Sequence, residues 1–361
     1  MLVPAALPLP RPRTRTRRRL ILPALFVLLA ASAILAAAFG GVRMPPLEFV
    51  ALLAGKAGIA LPVETTQEHA AILFAIRLPR IVLGVLVGSG LGIAGAAMQG
   101  VFRNPLADPG LLGLSSGGAL GAVAAIVLGA HGAQALGPWI AAPHMLPVAA
   151  FLGALGAAWI VERLAQVEGR IAVSMFLLAG IAVAALCAAL TGLLTFTATD
   201  AQLRTILFWT LGSLGGATWK TVVAAALFLS APVVLLPRFA RALNALLLGE
   251  SEARNLGVAA DHVKRVITVL IALAVGTSVA VSGVVGFIGL IVPHVVRLTV
   301  GPDHRLLLPG SALLGATLVL WADALARTVV LPAELPLGIV TASVGAPCFI
   351  ALLVRERGRL G

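Results

Sequence analysis

Charge is what this sequence has least of. Asp, Glu, Lys and Arg together make up 11% of its 361 residues, against about 25% in a soluble domain. Too few charges are present to cover a soluble fold, so the composition is that of a polytopic membrane protein. Acids are scarcer than bases, 14 against 26. Asp323 is the main acid inside an apolar stretch, near its expected outer end. Proton- or sodium-driven carriers usually place carboxylates or broken helices at mid-depth. Their scarcity argues against an ion-driven secondary transporter, the competing class, and for an external energy source. The two cysteines, Cys187 and Cys348, sit in apolar runs without metal-ligand spacing and read as packing residues. No GxxxxGK[ST] loop occurs, so ATP is not hydrolysed here in that way. Gly90–Gly95 spells GxGxxG, but inside an apolar span with no preceding strand, which rejects a dinucleotide site. HExxH and CxxC are missing too, which weighs against a membrane enzyme; no catalytic residue is expected. Among the six histidines no two lie within five positions, so no metal site is expected.

Apolar residues, by contrast, make up 60%, with a mean hydropathy of +1.06. Ten stretches approach the ~20 residues that cross a bilayer: 20–41, 81–101, 110–130, 145–164, 173–196, 220–236, 266–285, 287–300, 306–330 and 335–354. The eighth is the shortest and is interrupted by Pro293. The expected fold is therefore all-α, one transmembrane domain over 20–354 between basic tails at 1–19 and 355–361. Six arginines within 11–19 precede the first stretch. Its ~20 residues exceed a 7–15-residue signal core, so it reads as an uncleaved span. Lys and Arg concentrate in alternate loops and in the tail, which places both termini inside. Arg77, Arg80, Arg204 and Arg327 fall on the outer side as exceptions. Interfacial snorkelling explains such residues in the ordinary case; a positive surface for an acidic soluble partner is the sharper reading.

Small residues recur every fourth position at Gly84, Gly88, Gly92, Ala96 and Gly100, and again at Gly113, Gly117, Gly121, Ala125 and Gly129. On a helix such a row is one face, and in a membrane it lets backbones approach closely. The two rows flank a polar elbow, Arg103–Pro109. Val87–Gly95 resembles Val275–Gly283 at matching places five stretches apart, the trace of an inverted repeat. The longest polar inner segment, 237–265, suits short helices lying across the inner face. It is either an ordinary amphipathic loop or a docking surface.

Five ordered motifs then carry a resemblance: RLPR at 77–80, GAAMQGVFRNPLADPGLLGLSSGGALG at 95–121, LGESEARNLGV at 248–258, GFIGLIVPHVVRL followed by GPDHRLLLPGSALLGA across 286–316, and LPLGIVTASVGAPCFIALL at 335–353. Over roughly 70–354 the chain resembles the FecCD family, permease subunits of iron-chelate, haem and cobalamin ABC importers with the type II fold. The resemblance implies a homodimer in the bacterial inner membrane, two cytoplasmic ATPase subunits that hold ATP and Mg, and a periplasmic binding protein. No cofactor is expected on this chain. It implies docking by Arg77, Arg80 and Arg327 on binding-protein glutamates, and ATPase coupling through Gly249, Glu250, Ser251, Glu252, Ala253, Arg254 and Asn255. It implies a cytoplasmic gate at Asn104, Pro105 and Leu106 with Val173 and Ser174; residue 173 is valine where the cobalamin member has a hydroxyl. The segment DAQLRTILFWTLGSLGG at 200–216 resembles haem permeases, in which the arginine matching Arg204 is implicated in passing haem. Phe196, Phe208 and Trp209 would face the porphyrin, or form an interfacial aromatic belt. Haem is the expected substrate, with ferric siderophores and then cobalamin as alternatives.

Overall fold

The computed structural model of the chain describes residues 15–39, 44–136, 144–167, 170–171 and 173–360. Ten helices occupy the ten apolar stretches: α1 (Arg15–Ala38), α4 (Leu78–Phe102), α5 (Leu114–Leu136), α6 (Met145–Leu164), α7 (Val173–Phe196), α9 (Trp219–Leu235), α12 (Ala260–Ser282), α13 (Ile288–Val300), α14 (His304–Ala326) and α15 (Leu337–Leu360). Between them lie the short helices α2 (Pro46–Lys56), α3 (Gln67–Ile72), α8 (Asp200–Thr210), α10 (Ala240–Leu246) and α11 (Glu250–Asn255). A two-residue antiparallel ladder pairs Gln166 with Ile171 and Val167 with Arg170. Among the described residues seven helices are long and apolar enough to cross a membrane, with shorter apolar segments in α5, α13 and α15. The 13 residues of α13 reach only ~20 Å at 1.5 Å each, short of a ~30 Å hydrocarbon core. The expected RLPR start of the second span lies inside a helix continuous from Gln67, with a π-turn at Leu73–Arg77 just before it.

The centre of the fold is α4. It is apolar all round, as a fully enclosed helix must be, and nearly every residue from Val87 to Phe102 is buried. Its small-residue row lies along α14 in antiparallel order. Gly84 faces Leu320, Gly88 the Gly315 carbonyl, Gly92 the Ser311 carbonyl and Gly100 the His304 ring. A Cβ at Gly88 or Gly92 would overlap those carbonyls. The second row does the same for α5 and α6, with Gly117 against Gly153 and Gly121 against Ala149. Both rows are thus close helix contacts, and the residue spacing predicted them.

The repeated segments behave alike. Gly88 meets α14 and its counterpart Gly276 meets Ala154 of α6. Those partners are the ninth and fourth spans, again five apart. Of the two cysteines, Cys187 packs in the core as expected. Cys348 does not: it is exposed on α15.

Candidate functional site: an ionic cluster, a cavity and a polar network along one helix

At the expected outer end, three arginines converge. The last turn of α1 leaves carbonyls without intrahelical donors, and cations are favourable there. Arg77 donates to the Ala37 carbonyl. Arg327 donates to the carbonyls of Ala36 and Phe39 at 3.0 Å each. Arg327 also pairs with Asp323 at 3.1 Å, and Arg80 pairs with the same carboxylate at 2.9 Å. The far side of the Arg80 guanidinium holds Glu334 with two hydrogen bonds, 3.1 and 2.9 Å. All three arginines are buried, 5% exposed for Arg77, 9% for Arg80 and 8% for Arg327. The structure therefore brings the three predicted docking residues together and gives each an intramolecular partner. Asp323 was legible as an unusual acid. Glu334 and the α1 carbonyls were not, since nothing in the sequence places them beside the RLPR motif.

Beside this cluster runs the turn after α8. Thr199 caps α8 through a reciprocal capping box with Gln202, and the Gln202 amide also donates to the Ile126 carbonyl at 3.0 Å, fixing α8 on α5. The turn closes on α12 through Ser213 N–H to the Ser282 carbonyl at 2.8 Å. Gly283 ends α12 at φ +69, against the Trp209 carbonyl, where a Cβ would overlap. The result is an open cavity of about 490 Å³ lined by Arg204, Phe208, Trp209, Ser213 and Gly283 among others. Three of the four predicted pathway residues thus share one cavity. Phe196 is not among them; it stands 89% exposed at the end of α7. Among the described residues no acid pairs with Arg204, which leaves its guanidinium available to a carboxylate.

At the opposite end α4 stops at Arg103, in the left-handed conformation at φ +50. Asn104 and Pro105 are exposed and Leu106 half-buried. The Asn104 side chain accepts from Leu106 N–H at 2.9 Å, an Asx turn that shapes the elbow. Asp108 accepts from Gly110 N–H at 2.6 Å; burial pushes its carboxyl up, against the pull of that bond. The Phe102 and Phe176 rings meet at a tilt of 59° with centroids 5.2 Å apart, so the elbow and the first turn of α7, which begins at Val173 and exposes Ser174, lie at one level.

A polar network unseen in the sequence sits beneath this elbow. The Gln99 side chain accepts from Arg297 at 2.6 Å and donates to the Leu290 carbonyl at 3.2 Å. On α10, Asn244 donates to Asp303 at 2.7 Å and accepts from His304 N–H at 2.9 Å and from its Nδ1 at 2.8 Å. His304 therefore carries its proton on Nδ1, because the Asn244 oxygen can only accept. Burial works to raise the Asp303 carboxyl, but the Asn244 and Arg305 hydrogen bonds and nearby positive charge outweigh it and hold it low.

Just beyond, Gly249 at φ +120 opens α11. Ala253 is fully buried, while Ser251, Glu252, Arg254 and Asn255 are exposed. Glu250 reaches back to Lys264, which is 1% exposed. Leu248 and Leu256 point outward, 67% and 64% exposed, so the apolar side of this segment is not spent on its own core.

A bundle of this length and hydropathy with charged ends defines a polytopic membrane protein. The FecCD transport family matches residues 28–355, and the chain belongs to that family: it is the permease subunit of an ABC importer. It is 48% identical over 283 residues to the hemin transport system permease protein HmuU of Yersinia pestis, covering 78% of this chain and 83% of that one. It is 44% identical over 294 residues to the cobalamin import system permease protein BtuC of Halobacterium salinarum, 81% and 75% covered. A solved metal-chelate type ABC transporter in an inward-facing conformation superposes with a TM-score of 0.80 at 31% identity, covering 93% of this chain and 99% of that one. Membership implies ATPase and binding-protein partners and a multi-pass place in a bacterial inner membrane.

Proposed function

We propose that two copies of this chain form the pathway of a haem importer. Haem passes from a periplasmic binding protein to the cytoplasm, driven by ATP and Mg held in two partner ATPases, with both termini inside. The observation that carries the substrate is the cavity joining Arg204 to Phe208 and Trp209. Haem presents propionates to a guanidinium, in the bidentate geometry that suits carboxylates, and a flat apolar face to aromatic rings. The 48% identity to a hemin permease supports the same reading. The binding protein docks on the face around Arg77, Arg80 and Arg327. The ATPases hold Leu248–Asn255, and the gate lies at Asn104–Leu106 with Val173 and Ser174. ATP-driven closure moves α11, and the close contacts of α4 with α14 and of α5 with α6 transmit that movement as rigid pairs.

Uptake in vesicles by the permease with its own ATPase and binding protein tests this. Haem should accumulate, and ferric siderophore and cobalamin should not. Arg204→Ala should slow haem uptake several-fold, as expected for losing one charge-assisted contact at an exposed site. Haem uptake unaffected by Arg204→Ala removes the cavity from the pathway, and uptake of cobalamin instead of haem overturns the substrate.

A further inference from the structure

Among the described residues, the Arg80 guanidinium makes its hydrogen bonds and ion pairs to carboxylates of its own chain. Asp323 takes Nε and Nη2, and Glu334 takes Nη1 and Nη2. Of its five N–H donors only one, on Nη1, is left over. A partner carboxylate that is to grip Arg80 with two hydrogen bonds must therefore replace one of the two. Asp323 is 3% exposed and is shared with Arg327, so removing it would strand two buried cations. Glu334 differs in each respect. Its side chain is 47% exposed, and among the described cations it pairs with Arg80 alone. It also stands on the non-helical stretch before α15. The backbone on either side is anchored independently, Leu335 N–H to the Ala326 carbonyl at 2.9 Å and Leu337 N–H to the Gly212 carbonyl at 2.8 Å. The side chain can therefore swing away while the main chain stays. Gly215 flanks the pair from the exposed side; a Cβ there would lie 3.5 Å from Glu334 Oε2 and 3.8 Å from Arg80 Nη1, so its absence leaves the pair accessible.

We propose that Glu334 is a resident carboxylate that holds Arg80 in the undocked permease and is displaced by an acidic side chain of the binding protein. The inference rests on the docking reading of this face and specifies how it occurs. The exchange keeps Arg80 neutralised before, during and after docking, so a buried cation is never left bare. Exposed ion pairs are weak, which makes the resident easy to displace and the partner easy to release. Once displaced, Glu334 leaves the side of a turn whose Ser213 and Gly216 line the 490 Å³ cavity. Docking and the cavity rim are thereby in contact through one side chain.

The test measures binding-protein affinity for the complete permease–ATPase complex in lipid nanodiscs, at about 150 mM and about 500 mM salt. Glu334→Gln removes the competing charge, and Glu68→Gln removes one exposed charge from α3 as a control for long-range attraction. Displacement predicts that Glu334→Gln tightens docking roughly two- to five-fold, the range of an exposed pair, and that the gain survives at high salt. The gain from Glu68→Gln should be smaller and should vanish as the Debye length contracts. Glu334→Asp, which keeps the charge on a shorter arm, should fall between wild type and Glu334→Gln. Equal effects of Glu334→Gln and Glu68→Gln, or weaker docking by Glu334→Gln, overturn the proposal while leaving docking itself intact. Failure of the wild-type complex to bind the binding protein overturns the docking reading and this proposal with it.

Discussion

Gly95 shows how little room single residues leave here. It lies off the four-residue row, on the side of α4 that meets α13, and a Cβ would overlap the carbonyl of Gly289. Backbone cannot yield as a side-chain tip can. Gly95→Ala should therefore destabilise the fold by about 1–3 kcal/mol, the range for overpacking a tight core. Gly156→Ala on α6, where nothing lies within 4 Å, should be neutral or slightly stabilising, because alanine is the better helix former. Thermal unfolding of both variants in detergent checks the pair, and equal midpoints would show that α4 and α13 are not in close contact. The row Gly84–Gly100 was legible because a period names a face of its own helix. Gly95 was not, because the pattern says nothing of which neighbour approaches from another side. The outer arginines have a similar history. Their sign and position stood out in the sequence, but their intramolecular partners are the open carbonyls of α1 and two acids more than 240 positions from Arg80.

At the scale of elements, the segment around α11 separates what folds the chain from what remains for a partner. Ala253 and the Glu250–Lys264 pair face inward. Leu248 and Leu256 face outward at an end of the bundle that lies between spans. Large exposed apolar groups beside charge mark a protein-contact surface. The double variant Leu248→Ser, Leu256→Ser should keep the thermal midpoint of the isolated permease and weaken its association with the ATPase at least tenfold, roughly the loss of one or two buried leucines. Pull-down against titrated ATPase measures it, and unchanged association would return the segment to an ordinary loop. All ten spans could be read from hydropathy, which reports composition. The shortness of the eighth span was legible at 287–300, but hydropathy could not report that its helix opens at Phe287 in the left-handed region, φ +68. Gly345 makes room for that ring, a contact between the eighth and tenth spans. Nor could it show that the second span begins as far back as Gln67.

The molecule as a whole is organised along α4, which carries Arg80 at one end and Gln99 and Gly100 at the other. Gln99 is tied to α13 through Arg297 and the Leu290 carbonyl. Gly100 lies against the His304 ring at the start of α14. Asn244 grips that start with three hydrogen bonds, and it stands on α10, just ahead of the segment proposed to seat the ATPase. A displacement of α11 thus has a route to α4 and its elbow, through the Asn244 hydrogen bonds to the start of α14 and the packing of His304 on Gly100. Asn244→Ala removes the grip, at about 0.5–1.5 kcal/mol for each bond. The assembled complex should still hydrolyse ATP, while substrate imported per ATP falls several-fold. Arg241→Ala, an exposed position on the same helix, should leave that ratio unchanged. Parallel loss of hydrolysis and uptake in Asn244→Ala would mean that the network only holds the fold together. A selective loss of uptake would show that α10 passes the ATPase stroke to α14 and α4.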